Sequence, residues 1–228
     1  MSDLVVITGA SRGIGRATAR AFAKRGCRLA LLGRKSSGQE EAAVECRALG
    51  VEAKDYPFEL TDANSYERVV AALLEEQGTP RVVVHNAGEI VLGPLVHETT
   101  VEDWDRVLAV NLRAPFLLSR ALLPAMLKAA RGRFVHVSSI SATLGSPGAA
   151  AYSASKWGLI GLAKSLADEL RGTGLQSLAI LPGSTDTDML ARTSFAPKMS
   201  PEHVAELLVF YGLDAPDAIQ GSAVEMFG

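Results

Sequence analysis

The chain has 228 residues, 48% of them hydrophobic and 21% charged, with a formal net charge of −2. Such a composition supplies a large apolar core, and the near-neutral balance, with Lys and Arg scattered, gives no electrostatic case for a nucleic-acid or anionic-membrane partner. The two cysteines, Cys27 and Cys46, have neither metal-ligand nor CxxC spacing; no metal is expected, and both look like ordinary thiols of a reducing compartment.

In chain order, apolar runs recur at 4–8 (LVVIT), 28–33 (RLALLG), 52–58 (EAKDYPF), 81–86 (RVVVHN), 133–139 (RFVHVSS) and 175–181 (LQSLAIL), and SAVEMF ends the chain. Several are continuously apolar, the pattern of strands covered on both faces of a parallel sheet. Between them lie helical stretches. Residues 13–26 place Ile14, Ala17, Ala21 and Phe22 on one face, and residues 65–78 place Val69, Leu73 and Leu74 on another. Gly26, Gly50 and Gly78 stand where helices end. Strand–helix alternation of this kind predicts an α/β, doubly wound (Rossmann) sheet with helices on both faces. No repeat or linker divides it, so one domain is expected over residues 1–228. No uninterrupted apolar stretch reaches the ~18–20 residues of a membrane span. The first strand begins at Leu4, too early for a leader, so a cytoplasmic protein is expected.

The first strand runs into TGASRGIG, residues 8–15, and a helix starts at once. Gly9, Gly13 and Gly15 allow a tight turn and close approach of a ligand, and the N–H groups of a helix start suit a pyrophosphate. The glycines alone also fit a plain strand–helix turn. The second strand ends in Gly33-Arg34-Lys35, with no carboxylate for an adenine ribose. Arg12, Arg34 and Lys35 are cations suited to a 2′-phosphate, so NADP(H) is expected ahead of NAD(H); read without that partner, they are solvated surface charges.

AAYSASKWGLIG, residues 150–161, puts Tyr152 and Lys156 one helical turn apart among small residues. A free phenol with a pKa near ~10 is a poor base at neutral pH, and a nearby ammonium favours the phenolate. The pair therefore suits proton transfer to or from a carbonyl or alcohol, with Ala151, Ser153, Ala154 and Ser155 leaving room for a cofactor. HVSSISA supplies Ser139, VNLRAP supplies Asn111, HNAG spans 85–88 and LPGSTDTDM spans 181–189. All fall at or beyond the carboxyl ends of predicted strands, where open α/β sheets bind ligands.

With these ordered motifs, nearly the whole chain resembles the short-chain dehydrogenase/reductases, in particular their 3-oxoacyl-carrier-protein-reductase-like members. The resemblance implies a seven-stranded sheet in the order 3-2-1-4-5-6-7 and a catalytic tetrad. In that tetrad Ser139 binds the substrate carbonyl, Tyr152 transfers the proton, Lys156 holds the nicotinamide ribose, and Asn111 holds a water. Ser139 is chosen over its neighbour Ser138 by its spacing to Tyr152. The resemblance sets Ser11 and Ile14 with the glycine turn, Asn86, Ala87 and Gly88 beneath the cofactor, and Ile180, Pro182, Gly183 and Thr187 around the nicotinamide, Thr187 near its carboxamide. It implies a small-molecule or carrier-bound carbonyl substrate and a homodimer or homotetramer built on the helices at 100–130 and 150–172, where Trp104 and Trp157 fit an interface or the core.

The chain departs from the family pattern at several points. Glu59, followed by Leu60, replaces an Asp that contacts adenine. His85 replaces an Asn and is expected to be a packed strand residue, and Ala142 replaces a Gly. Only LARTSFAPKM, residues 190–199, stands where many relatives carry a longer lid, so an open cleft is expected, with Leu144, Met189 and Leu190 as apolar walls. NADPH-dependent reduction of a 3-oxoacyl thioester or another ketone follows. The alternatives are an NAD-dependent alcohol dehydrogenase and a non-catalytic dinucleotide-binding regulatory protein.

Overall fold

In strand β1 (Leu4–Thr8) every residue is buried, and its side chains divide between two cores. Val5 and Ile7 pack with Phe22, Leu29, Val82 and Leu208 on one face of the sheet; Leu4 and Val6 pack with Leu73, Leu118, Leu122 and Met126 on the other. A strand needs no polar face when both sides are covered, which accounts for the unbroken apolar runs. The structure, a computed structural model, describes residues 2–228, with Ser37 described through its backbone only.

Strands β2 (Arg28–Gly33), β3 (Ala53–Pro57), β4 (Val82–His85), β5 (Gly132–Val137), β6 (Leu175–Pro182) and β7 (Ala223–Met226) join β1 in one sheet of order β3-β2-β1-β4-β5-β6-β7. Every pairing is parallel, as expected. Observed strands at 82–85 and 132–137 stop short of the expected 86 and 139, because the chain leaves the sheet there to build loops.

Helices α1 (Gly13–Lys24), α2 (Ser37–Ala48) and α7 (Pro201–Val209) cover the first core with Phe22, Ala42 and Val204. Helices α3 (Tyr66–Gln77), α5 (Ala114–Ala129) and α6 (Ala150–Glu169) cover the second with Val70, Leu118 and Leu166. Gly26, Gly50 and Gly78 follow α1, α2 and α3 with φ of 76°, 86° and 84°. A side chain at any of the three would meet open space, so backbone conformation rather than crowding demands glycine there.

Helix α4 (Val101–Leu108) continues into α5 through a π-helical turn, Ala109–Arg113. Pro115 explains it: an α-helix would send an N–H from position 115 to the carbonyl of Asn111, and proline has none. The run Val101–Ala129 is apolar and long enough to cross a membrane, yet its Leu118, Leu122 and Met126 are spent on the sheet.

β1 lies between β2 and β4, so consecutive connections leave its two sides in opposite directions. The crevice this opens at the carboxyl ends is where such sheets hold ligands.

Candidate active site

Two strand ends are clamped at that crevice. The Thr8 hydroxyl accepts from the backbone N–H groups of Asn86 and Ala87, both at 3.1 Å, and the Asn86 amide donates to the carbonyls of Thr8 (3.1 Å) and Gly9 (3.0 Å). The fit leaves no room for side chains. A Cβ on Gly9, whose φ is 72°, would lie 2.8 Å from the Ala87 Cα, and one on Gly15 would run into the Gly9 carbonyl and the Asn86 amide. Helix α1 then starts at Gly13 with no side-chain cap from Arg12. Its first turn, Gly13–Arg16, carries no carboxylate, so N–H groups and helix dipole face the crevice unopposed. A bare backbone cradle of this shape fits a dinucleotide pyrophosphate.

Beyond β2, Arg34 and Lys35 are exposed. Gly38, in the first turn of α2, is nearby: a Cβ there would stand 2.9 Å from the carbonyl oxygen of Ser11. Its φ is an ordinary one, so close approach of α2 to the glycine turn is what requires glycine. Arg12 differs from the expected free cation. Its Nη1 donates to the Asp188 carboxylate at 3.0 Å, across to the loop after β6.

On the other side of the crevice β5 delivers two serines with opposite fates. Ser138 is buried and donates to the carbonyl of Lys156 at 2.9 Å, inside the packing. Ser139 caps a 3-10 turn, Ile140–Ala142, accepting from the Ser141 N–H, and its hydroxyl lies near enough to the Tyr152 phenol to lower its pKa. Lys156 lies beneath, its Nζ 5.7 Å from the Tyr152 ring centre and donating to the Val137 carbonyl at 2.8 Å.

Asn111 sits in the π turn, fully buried. Its Nδ2 donates to the Glu89 carbonyl and the Ser155 hydroxyl, both at 2.9 Å, while Oδ1 accepts from the Glu89 N–H at 2.7 Å. Ser155 in turn donates to the Tyr152 carbonyl at 2.7 Å. Both amide donors are thus spent on tying the loop after β4 to α6. A Cβ on Gly88 would lie 3.7 Å from both Asn111 Oδ1 and Lys156 Nζ, so the missing side chain leaves a gap between them.

Burial sets the electrostatics. It pushes the Tyr152 phenol above its ordinary value, and the Ser139 hydroxyl pulls the other way. It also lowers Lys156 to about 8. The ammonium is therefore desolvated without an anionic partner among the described residues, and the protein alone does not depress the phenol as the sequence suggested.

Other expected contacts fall differently. Leu60 packs its side chain in the second core, and its carbonyl accepts from the Tyr66 hydroxyl at 2.7 Å. The Glu59 carboxylate folds back on its own turn, accepting from the Thr61 N–H at 3.4 Å. The Ile180 side chain is likewise core. Pro182 closes β6, and Gly183 is pressed against β7, its N–H donating to the Met226 carbonyl at 2.9 Å. Thr187 lies against the glycine turn, its methyl 3.2 Å from where a Gly13 Cβ would stand. Met189 packs with Tyr152, whereas Leu144 is 57% exposed and forms rim rather than wall. His85 is a packed strand residue: its Nε2 meets the Ser119 hydroxyl at 2.9 Å, and its ring stacks on His136 at 4.7 Å. The expected short lid is strapped down, with Thr185 bridged to Met199 and the Lys198 N–H donating to the Ser184 carbonyl at 2.8 Å.

Gly38, Asp188 and Glu89 escaped sequence reasoning, and Ser155 was read only as a small residue leaving room, not as a link between Asn111 and the Tyr152 carbonyl. Gly38 alone carried a signal, a glycine inside a helix where propensity disfavours it.

Comparison with known proteins agrees with this geometry. Residues 3–197 match the family model described as short chain dehydrogenase. The 3-oxoacyl-[acyl-carrier-protein] reductase of Thermotoga maritima is 32% identical over 98% of this chain and 95% of its own length. Its namesake from Synechocystis is 34% identical over 93% of this chain and 90% of its own. Among solved structures, levodione reductase superposes with a TM-score of 0.93 at 25% identity, covering 99% of this chain and 96% of that one.

Proposed function

The chain belongs to the short-chain dehydrogenase/reductase family and is an NAD(P)-dependent oxidoreductase of carbonyls and alcohols; from that premise we propose that it uses NADPH to reduce a ketone or 3-oxoacyl thioester to a secondary alcohol, with Tyr152 as general acid. The observation that carries this reading is the buried Tyr152 phenol beside the Ser139 hydroxyl, with the Lys156 Nζ 5.7 Å from its ring centre. A protonated phenol is the state that donates to a developing alkoxide; oxidation of an alcohol would need the phenolate.

The nicotinamide, when bound, supplies the hydride. This chain does the rest. Ser139 donates a hydrogen bond to the substrate oxygen and orients it. Tyr152 gives its proton to that oxygen as the carbonyl becomes an alkoxide. Lys156, with one N–H on Val137 and two to spare, holds the ribose and stabilises the phenolate left behind. A water in the Gly88 gap, between Asn111 and Lys156, returns the proton from solvent. The Asn111 backbone carbonyl, whose α-helical partner would be Pro115, adds an acceptor on that path. The Gly9, Ser11, Gly13, Ile14 and Gly15 turn holds the pyrophosphate, and Arg34 and Lys35, with Arg12, hold the 2′-phosphate.

Exposed Trp104, Phe116 and Trp157 on α4, α5 and α6 support the homo-oligomer. Consumption of NADPH, followed by absorbance against a panel of ketones and 3-oxoacyl thioesters, tests the reaction. Oxidation of NADPH with none of them would overturn nothing else but this assignment.

A further inference from the structure

Glu89, next to the Gly88 gap, is held from three directions by one helical run. Its N–H donates to Asn111 Oδ1 at 2.7 Å, its carbonyl accepts from Asn111 Nδ2 at 2.9 Å, and its carboxylate accepts from Arg106 Nε at 2.6 Å. Arg106 lies on α4, and Asn111 in the π turn that continues it. The Nη2 of the same guanidinium meets Asp103, one turn back on α4, at 2.6 Å. The planar fork is thus oriented on its own helix, and little freedom is left to lose in holding Glu89.

Glu89 also heads a strap over the phenol. Ile90, Val91 and Leu92 pack in one apolar cluster with Tyr152 and with Val107, the neighbour of Arg106 on α4. Past them the Gly93 N–H donates to the Gly148 carbonyl at 3.0 Å, just before α6 begins. Contact there is tight: a Cβ on Gly148 would lie 3.1 Å from the Gly93 carbonyl oxygen. The strap is therefore pinned at both ends, with Tyr152 packed against its middle. Any residue at position 89 could make the two backbone bonds to Asn111. What the carboxylate adds is the tie to α4. Because donor and acceptor of the Asn111 amide both bond to the Glu89 backbone, a shift of Glu89 shifts that amide, and with it the gap between Asn111 and Lys156.

We propose that Glu89 and Arg106 are positioning residues: their ion pair sets the strap of residues 89–93 against Tyr152 and keeps the Asn111 amide aligned with Lys156. This rests on Tyr152 as the proton donor and extends that reading to residues that act through it. The two side chains are 33% and 46% exposed, so the pair adds little to stability. Its effect reaches the reaction through the placement of the atoms it holds, and small misplacements at a reacting centre are costly in rate.

The test uses Glu89→Leu and Arg106→Met, which break the tie from either side, and Glu89→Gln, which keeps an acceptor for the Arg106 Nε–H. Arg25→Met is the reference, since it removes an ion pair of similar exposure, to Asp214, on the opposite face of the sheet. Amide hydrogen exchange, NADPH affinity by fluorescence and initial rates on cyclohexanone and acetoacetyl-N-acetylcysteamine are measured for each. In Glu89→Leu and Arg106→Met, exchange at the Glu89 and Gly93 N–H groups should quicken about two- to fivefold and kcat should fall about three- to tenfold, with NADPH affinity unmoved. Glu89→Gln should recover most of both, and Arg25→Met should change neither. Unchanged exchange in the two disrupting variants, a wild-type kcat once the strap has loosened, or an equal loss in Arg25→Met would each overturn the inference and leave the reductase standing. Turnover of neither substrate by the wild type, with NADPH still bound, would remove the reductase reading and the positioning role with it.

Discussion

Arg12 and Asp188 face each other at 3.0 Å across the mouth of the cofactor crevice, joining the glycine turn to the loop after β6. The same guanidinium is one of the three cations assigned to a 2′-phosphate, so carboxylate and phosphate compete for it. Both partners are largely exposed, and such pairs are weak and screened by salt. Asp188→Asn should therefore tighten NADPH binding by about two- to fivefold at low salt, leave NADH unmoved, and lose its effect at high salt. Fluorescence titration of both cofactors measures it; equal changes for the two would separate Asp188 from the phosphate.

Arg34 stands at the end of β2 where an NAD-dependent protein would hold a carboxylate. Arg34→Asp should reverse the preference from NADPH to NADH, by about 1–3 kcal/mol for the lost charge-assisted contact. Dissociation constants for the two cofactors, wild type against variant, give the answer, and indifference of the wild type to the phosphate would count against NADP(H).

Tyr152→Phe keeps the ring in its apolar cluster and removes the proton. Cofactor affinity should hold, and ketone reduction should fall about 10²–10⁴-fold. Near-wild-type turnover on a good substrate would mean that the acid is another group.

Lys156 is buried with a pKa lowered to about 8, so its charge costs stability at neutral pH. Because the folded pKa lies below the unfolded value, the unfolded chain binds the extra proton between about 8 and ~10.5, and stability rises with pH through that window. Lys156→Met removes the penalty. It should raise stability by about 1–3 kcal/mol at pH 7 while abolishing activity and weakening NADPH binding. Thermal unfolding at pH 7 and pH 10 checks the sign: the variant's advantage should shrink at the higher pH.

His85 and His136 are stacked and buried; desolvation pulls His136 down to about 3, and desolvation, with His136 nearby, holds His85 well below its ordinary value. Depressed histidines confer stability that is fully present above the unfolded pKa near ~6.5 and lost as pH falls below it. Urea unfolding should show about 2 kcal/mol lost per histidine between pH 6.5 and pH 5. His136→Phe should lessen that slope.

Much of this was readable in advance, for physical reasons. A strand buried on both faces is mostly apolar, so β1, β2 and β4 announced themselves, while β6 buries Gln176 and Ser177 as well. Tyr152, Lys156 and Ser139 were findable because their spacing is set by a single helix and the loop before it. Long-range pairings were not. The Arg12 partner lies 176 positions away, and no local pattern encodes it. Asn111 was singled out, but its use as a tie between Glu89 and Ser155 depends on a π turn. The depression of the phenol expected from Lys156 failed in the protein alone because burial, which no spacing reports, acts on both groups together.

The contact of Gly38 with the Ser11 carbonyl gives the chain a fixed anchor just past the residues that choose the cofactor. Arg34 and Lys35 are exposed between that anchor and the end of β2, and Ser36 then caps α2 by accepting from the Gln39 N–H. Positions 34 and 35 form a replaceable cassette: other charges can be set between Gly33 and the Ser36 cap to retune cofactor choice, while the pyrophosphate cradle keeps its shape so long as position 38 stays bare.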